Sequence, residues 1–406
     1  VECRVPEEDT DVNAPQDMQV AGRRLAVVVP TLQGGGCERI VSAILPALSE
    51  SYEVDLILHE HRIAYPVPDG VTVKCLGVDT GTGLSLGAKA ARMRERVRAV
   101  RKHLQTGAYN AIVSFLDLNN TVVYWANRGP GPHLPHLAVE QTLCPGFFRF
   151  NPTARRWRLP LRLLLTHTYR RVRTLVVLSR TMRAFLWRDL HVRRRMYVIH
   201  NGVDTARFCP GPVQADDLKP GYAEAPLRLV NIGRFELPQK DQLWLLERMP
   251  EILAAQPEAQ LFLIGSGPDE EALRREVTTR GLVEKVHFLG WCDRVEAYLR
   301  AAHVLVHCAR YETFGNVLIE SLACGTPVVV RDTDPVFSEI LADGDLGMLV
   351  PPDDHRLYVQ RIGHVLGRSA AAPEVDLAIS RHVRTAYAMD ETIKQYLTAV
   401  QRLLIP

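Results

Sequence analysis

The feature that most constrains this chain is an alternation that runs twice along it. Short apolar runs, each closed by a turn and followed by a stretch with helical spacing, begin at Arg24 and begin again at Leu227. The first run, RLAVVVPTL (24–32), is continuously apolar, as expected of a strand buried on both faces of a parallel sheet. Further strand candidates lie at 52–59, 71–76, 108–115, 135–141, 175–179 and 196–203, then at 227–235, 259–269, 285–291, 303–312 and 326–330. Strands that alternate with helices call for crossover connections and a doubly wound parallel sheet. A chain of 406 residues exceeds what one core fills, so two such domains are expected. The predicted layout is a flexible acidic tail over 1–19, a first domain over 20–208, a Pro-, Gly- and acid-rich linker over 209–225, a second domain over 226–385, and a terminal helix over 386–406.

Composition narrows the function class. No apolar run approaches the ~18 residues needed to cross a bilayer, and the acidic first residues do not read as a signal peptide. Eight cysteines are scattered without a C-x-x-C pair, which suits reduced packing residues of a cytoplasmic protein and argues against a metal site. Residues 1–205 carry 28 Lys and Arg against 18 Asp and Glu, whereas residues 206–406 carry 21 against 28. The first half therefore suits an anionic partner or surface. Its basic residues concentrate in AKAARMRERVRAVRKHL and in ARRWRLPLRLLLTHTYRRVRT (154–174). These read either as solvated surface helices or as a basic amphipathic face resting on anionic lipid.

The stretch ARYETFGNVLIESLACGTPVVV (309–330) reads as strand end, loop, two-turn helix, tight turn and strand. Thr313 is expected to cap a helix starting near Phe314, with Gly325 as its left-handed exit and Pro327 barring continuation. Glu312 then stands before the helix and Glu320 on its second turn. Both would face a mouth where Thr313, Phe314 and Gly315 offer backbone N–H groups and Asn316 follows. Either glutamate alone could be a solvated surface charge. Together they suit a ligand with phosphates in the middle and hydroxyls at both ends, as in a nucleotide sugar.

Other candidates sit where strands end. Arg234 follows Gly233, and Lys240 comes six residues later, so two cations at a strand's carboxyl end could hold a diphosphate and neutralise its charge as it leaves. The turn GSGPDEE supplies Gly265 and Gly267, which permit close approach of a nucleoside. The triplet Gly34–Gly36 opens a helix after the first strand and reads either as a plain turn or as a phosphate approach. Its spacing departs from the G-x-G-x-x-G dinucleotide fingerprint, which weakens an NAD reading. Glu140, Gln141 and Thr142 lie at the carboxyl end of the 135–141 strand, where an acceptor could bind.

The E-x7-E segment Glu312–Glu320, the frame GRF-x3-QKD and the segment GGGCER resemble the retaining glycosyltransferases of the large family 4. The resemblance spans nearly the whole chain after residue 20. It implies the GT-B fold, two Rossmann-like domains facing across a cleft, and a terminal helix crossing back to the first. It further implies that Glu312 contacts the transferred sugar and Glu320 the ribose. Arg234 and Lys240 would clamp the donor pyrophosphate, and Gly35 and Gly36 would border it. The loop holding Gly290, Trp291 and Cys292 would meet the base.

The implied reaction is metal-independent transfer, with retention, from a UDP- or GDP-sugar to a glycan or lipid-linked acceptor at the cytoplasmic membrane face. No cofactor beyond the donor and no nucleic-acid partner is expected. A soluble acceptor, or a catalytically silent sugar-nucleotide-binding protein, are the rival readings. Gln141 stands where the family usually has a basic residue, so no catalytic base is assigned.

Overall fold

The computed structural model describes residues 22–79, 86–130, 133–368 and 376–405. The expected acidic tail, 1–19, lies outside them. Two compact units emerge. One holds the described residues up to Leu143 with Trp157–Gly202 and Met389–Pro406; the other holds Cys144–Arg156 and Val203–Ala388.

In the first unit, seven strands form a wholly parallel sheet: β1 (Arg24–Val29), β2 (Glu53–Leu58), β3 (Val71–Cys75), β4 (Ala111–Phe115), β5 (His136–Glu140), β6 (Thr174–Val177) and β7 (Arg195–Val198). Their order is β3-β2-β1-β4-β5-β6-β7. The apolar runs are buried because helices cover both faces. The helix Gly36–Ser51 turns Cys37, Ile40, Val41, Ile44, Leu45 and Leu48 onto one face, the three- and four-residue spacing of an amphipathic helix. The terminal helix Met389–Leu404 adds Tyr396, Ala399, Val400 and Leu403 to the same core. Each Val, Leu or Ile among them, buried from water, contributes about 1.5–3 kcal/mol.

The second unit repeats the plan with six parallel strands: β8 (Leu227–Ile232), β9 (Ala259–Ile264), β10 (Val286–Gly290), β11 (Val304–His307), β12 (Val328–Arg331) and β13 (Met348–Val350). Their order is β10-β9-β8-β11-β12-β13. In both sheets the strand order reverses beside the first strand, between β1 and β4 and between β8 and β11. That reversal opens a crevice at the carboxyl ends of the strands.

Several local expectations change. β13 was not legible: it is three residues long and ends at Pro351-Pro352. The single helix expected after β8 is three short ones, Leu237–Lys240, Gln242–Leu246 and Met249–Ala255. Asp241 between the first two is left-handed (φ 52°), and Pro250 restarts the third. The 154–174 segment breaks at Trp157 into Pro152–Arg156 and Arg158–Tyr169.

The expected linker, 209–225, instead belongs to the second unit, and the chain changes unit at Gly202–Val203. Tyr222 within it is fully buried, and its hydroxyl donates to the Tyr298 carbonyl at 2.7 Å. A Pro- and Gly-rich composition marks absence of regular structure, which a segment laid on a surface shares with a linker. Residues 144–156 also belong to the second unit. Gly146 there sits so close to Tyr311 that a side chain would strike its ring, whose Cγ is 2.7 Å from the Cβ position. Phe150 stacks on the same ring with centroids 6.3 Å apart.

Candidate active site

The loops after β8 and β11 meet at the reversal point of the second sheet, so the fold brings together residues 72 positions apart. Lys240 closes the short helix after β8, and its ammonium donates to Oε1 of Glu312 in the loop beyond β11. Gln239 donates to the other oxygen, Oε2, at 3.3 Å. The Lys240 stem passes over Gly233, its Cε 3.5 Å from where a side chain there would begin. Glu312 is 6 % exposed. A charge this buried is held by its partner, because water cannot stabilise it. Lysine has three donors and Glu312 takes one, leaving two for a diphosphate.

His307, at the end of β11, lies 3.6 Å from Glu312 through Nε2. Burial pushes its pKa down to about 4, although the carboxylate opposes the shift. It is therefore a neutral neighbour near pH 7, and Lys240 supplies the cluster's positive charge. Asp334 is also buried, and burial, with Glu312 adding to it, raises its carboxyl to about 6. Sequence reading passed over His307 and Asp334, because neither stands in a recognisable spacing with Glu312.

The helix of the 309–330 stretch spans Asn316–Ala323. Thr313 does not cap it: Gly315 occupies the cap in a left-handed conformation (φ 94°), with no side-chain cap. The chain therefore needs glycine there. Phe314 is a core residue, 2 % exposed, and its ring meets Tyr387. Glu320 falls on the second turn and is buried, 7 % exposed. Gly325 provides the expected left-handed exit (φ 81°).

Arg234 differs from Lys240. Its side chain is 70 % exposed and pairs only loosely with Glu236, at 3.9 Å. Asp241, missed in the sequence, anchors the loop instead. It is 4 % exposed and accepts from Arg310 at 2.8 Å and Arg331 at 2.9 Å. It thus ties the loop after β8 to the loop after β11 and to the end of β12.

The glycines of GSGPDEE have a structural task. Gly265 (φ 139°) lies against the Gly233 carbonyl, where a side chain would clash, and Gly267 presses on the Phe235 backbone. Hydrogen bonds from Gly233 N to Ile264 O (3.0 Å) and from Phe235 N to Ser266 O (3.0 Å) lock the two turns together. The close approach that these glycines permit within the chain is to residues 233–235. Gly290 is left-handed (φ 67°) with open space beside it. Trp291 next to it is 68 % exposed, its indole held to Asp293 at 2.9 Å. Cys292 is half-buried.

In the first unit, Gly35 is the extended cap of the helix Gly36–Ser51. The Glu38 carboxylate folds back to where a Gly35 side chain would lie. Burial raises its pKa, and its own backbone N–H opposes that shift. An anion bordering Gly35 and Gly36 would have to share the helix tip with this carboxylate.

Glu140 ends β5 fully buried. Its Oε1 accepts from the Thr142 and Leu143 amides at 2.6 and 3.0 Å, and its Oε2 from the Tyr169 hydroxyl. Burial, reinforced by Asp117 beyond β4, raises Glu140 to about 8. The acceptor-side expectation for Glu140 is corrected accordingly: its carboxyl is spent on an internal network. Gln141 is 8 % exposed, with its Nε2 buried and unpaired. Leu116, between β4 and Asp117, has φ 72°, a strained conformation for leucine at the reversal point of this sheet.

Comparison with known proteins agrees with this anatomy. Residues 34–207 match the profile described as Glycosyltransferase Family 4, and residues 226–368 that described as Glycosyl transferases group 1. A phosphatidyl-myo-inositol mannosyltransferase of Mycolicibacterium smegmatis is 37% identical over 159 residues, 38% of this chain and 39% of that protein. The chain thus matches about two fifths of that relative's length. An N-acetylgalactosamine-N,N'-diacetylbacillosaminyl-diphospho-undecaprenol 4-alpha-N-acetylgalactosaminyltransferase of Campylobacter jejuni is 22% identical over 85% of this chain and 90% of its own. Among solved structures, sucrose-phosphate synthase from Thermosynechococcus elongatus superposes with TM-score 0.78 at 20% identity, covering 94% of this chain and 99% of that one. Anabaena HepE, solved with UDP and glucose, superposes with TM-score 0.72 at 17% identity, covering 93% and 99%. These likenesses establish the GT-B fold of paired Rossmann-like sheets. With one profile matching each half, the chain belongs to the group 1 glycosyltransferases of family 4.

Proposed function

We propose that the protein transfers a sugar from a UDP- or GDP-sugar to a glycan or lipid-linked acceptor at the cytoplasmic face of a membrane, with retention at the anomeric carbon and without a metal ion. The observation that carries the reading is the Lys240–Glu312 pair at the reversal point of the second sheet. It supplies a partly committed cation for a leaving diphosphate and a carboxylate for sugar hydroxyls.

In the proposed step, an acceptor hydroxyl oxygen bonds to the anomeric carbon on the face the diphosphate leaves. The bond from that carbon to the β-phosphate oxygen breaks, and the hydroxyl proton passes to the departing phosphate. The protein's part is to position reactants and stabilise the growing charge. Lys240 takes the larger share, and exposed Arg234 would have to swing onto the diphosphate. Glu320 is proposed for the ribose. The names of the mannosyl- and galactosaminyltransferase relatives, both lipid-directed, support the acceptor class.

Incubation with UDP- and GDP-sugars, followed by detection of released nucleoside diphosphate, tests the reading. Slow release with one donor, accelerated by a lipid-linked acceptor, is expected. Acceleration only by soluble acceptors would move the acceptor class, and silence with every donor would leave a sugar-nucleotide-binding protein.

A further inference from the structure

A cavity of about 850 Å³ opens in the second unit among the Pro145–Phe150 helix, the short helices after β8 and the carboxyl ends of β12 and β13. Arg149, Arg310 and Arg331 line it together with Phe150, Trp244 and Asp241. Lys240, Glu312 and Glu320 are not on its wall, so it lies beside the candidate donor site rather than within it. Asp241 is buried and commits both oxygens: Oδ1 accepts from Arg310 at 2.8 Å and Oδ2 from Arg331 at 2.9 Å. Arg331 also donates through Nε to the Pro352 carbonyl at 3.1 Å. All three guanidiniums lie over aromatic rings. Arg331 is 4.4 Å from the Trp244 centroid, and Arg149 and Arg310 are 5.0 and 5.8 Å from that of Phe150. Arg149 has no hydrogen-bond or ion-pair partner among the described residues. Of the two other carboxylates on the wall, Glu247 pairs with Arg248 and Asp353 stands exposed.

We infer that this cavity binds a phosphate monoester carrying a group of about sugar size, at a site apart from the nucleotide donor. Arg149, Arg310 and Arg331 set against Asp241 leave a surplus of two positive charges, which matches the charge of about −2 on a phosphate monoester near neutral pH. A solvated arginine needs no partner, but Arg331 is only 16 % exposed. A cation so far from water is stabilised by an anion, and Asp241, shared with Arg310, supplies one negative charge for two positive ones. The donors are available as well. A guanidinium has five N–H groups; Arg310 spends one of them on Asp241, and Arg331 spends two. Stacking on a ring leaves the remaining N–H groups in the guanidinium plane, where they can meet phosphate oxygens in bidentate pairs. The volume exceeds what a phosphate alone fills and falls in the range of small-molecule sites, about 300–1,000 Å³. Phe150 and Trp244 give the rest of such a ligand an apolar wall.

Isothermal titration calorimetry of the full chain in phosphate-free buffer, with no donor present, tests it. The probes are glucose 6-phosphate, ribose 5-phosphate, inorganic phosphate and glucose. Saturable binding of at least one sugar phosphate, tenfold or more tighter than inorganic phosphate or glucose, is expected. Arg149→Glu should weaken that binding at least tenfold, and Arg149→Lys by less, since an ammonium keeps the charge and loses the fork. Unfolding curves matching the wild type establish that each variant is folded, and Arg149→Gln carries the same test should the Glu variant not fold. Saturating UDP or GDP should leave the affinity for the sugar phosphate unchanged. Displacement by either nucleotide would put the phosphate in the donor site and overturn the inference. So would absence of binding by both sugar phosphates, or undiminished binding by a folded Glu or Gln variant. A phosphorylated acceptor and a free effector share this chemistry, and incubation with a donor separates them. Conversion of the bound sugar phosphate to a heavier product by mass spectrometry identifies an acceptor, and its recovery unchanged identifies an effector; both keep the site. Loss of all donor cleavage strikes the transferase reading and leaves the calorimetry standing.

Discussion

The Lys240 ammonium rests on the Glu312 carboxylate, although the two residues come from different loops at the carboxyl ends of β8 and β11. Both are largely buried, with side chains 18 % and 8 % exposed. Each is the main charge partner of the other, and a diphosphate would enter as a third party.

Lys240→Met should therefore act twice. It leaves Glu312 buried beside the Gln239 amide and the neutral His307, and breaking such a pair costs about 3–5 kcal/mol. It also removes the cation proposed to hold the donor. In urea denaturation the variant should unfold earlier than the wild type. A saturating nucleoside diphosphate should stabilise the wild type by about 2.7 kcal/mol at a hundredfold excess over Kd, and the variant hardly at all. Equal stabilisation of both proteins would remove Lys240 from the donor site.

Asp241→Asn keeps a residue that tolerates the left-handed backbone but discharges the anchor of Arg310 and Arg331. Arg331 is nearly buried while Arg310 is 41 % exposed, so solvent already screens one of the two pairs. A loss of about 3 kcal/mol, the low end for a broken buried pair, is expected. Chemical denaturation reads it directly, and a change below about 1 kcal/mol, the level of exposed pairs, would show that the arginines find other partners.

Gly265→Ala forces a side chain against the Gly233 carbonyl at φ 139°. Such a backbone conformation costs a non-glycine residue about 1–3 kcal/mol before any clash. The GSG and GRF turns should separate, lowering Tm and weakening nucleotide binding together. Gly290→Ala has open space but φ 67°. It should cost about 1–2 kcal/mol, the ordinary left-handed penalty.

Glu140 gives the fold a pH dependence of known sign. Its folded-state pKa, about 8, lies above the ordinary carboxyl value, so the native state holds this proton more tightly than the unfolded chain. The contribution is fully present below about pH 4.5 and is lost as pH rises through 8. Wild-type stability should fall between pH 6 and pH 9, and Glu140→Gln should flatten that part of the curve. Urea midpoints at the two pH values measure it. An unchanged slope in the variant would place the titration elsewhere, with Asp117 the first alternative, since burial raises its carboxyl as well.

Legibility followed physical range. The strands were readable because burial on both faces demands continuous apolar runs such as LAVVV in β1 and LFLI in β9. Their ends were read too long, since residues such as Leu32 and Val203 are buried without belonging to a sheet. Glu312, Glu320, Gly233 and Lys240 stood out through local spacing. Asp241, His307 and Asp334 did not, because each matters through a residue distant in sequence. Gly265 was noticed for its flexibility, yet its neighbour turned out to be Gly233. The fate of Glu140 was equally hidden, because nothing near it announces Tyr169, which is 29 residues away.

Sequence alone determined that the chain builds two parallel sheets wrapped in helices, because hydrophobic periodicity and turn chemistry act over a few residues and are written out in order. Tertiary structure decided which charges meet. It set Lys240 against Glu312, left Arg234 in water and withdrew Glu140 into the interior. Those outcomes depend on strand order and on desolvation, and both exist only once distant segments have packed.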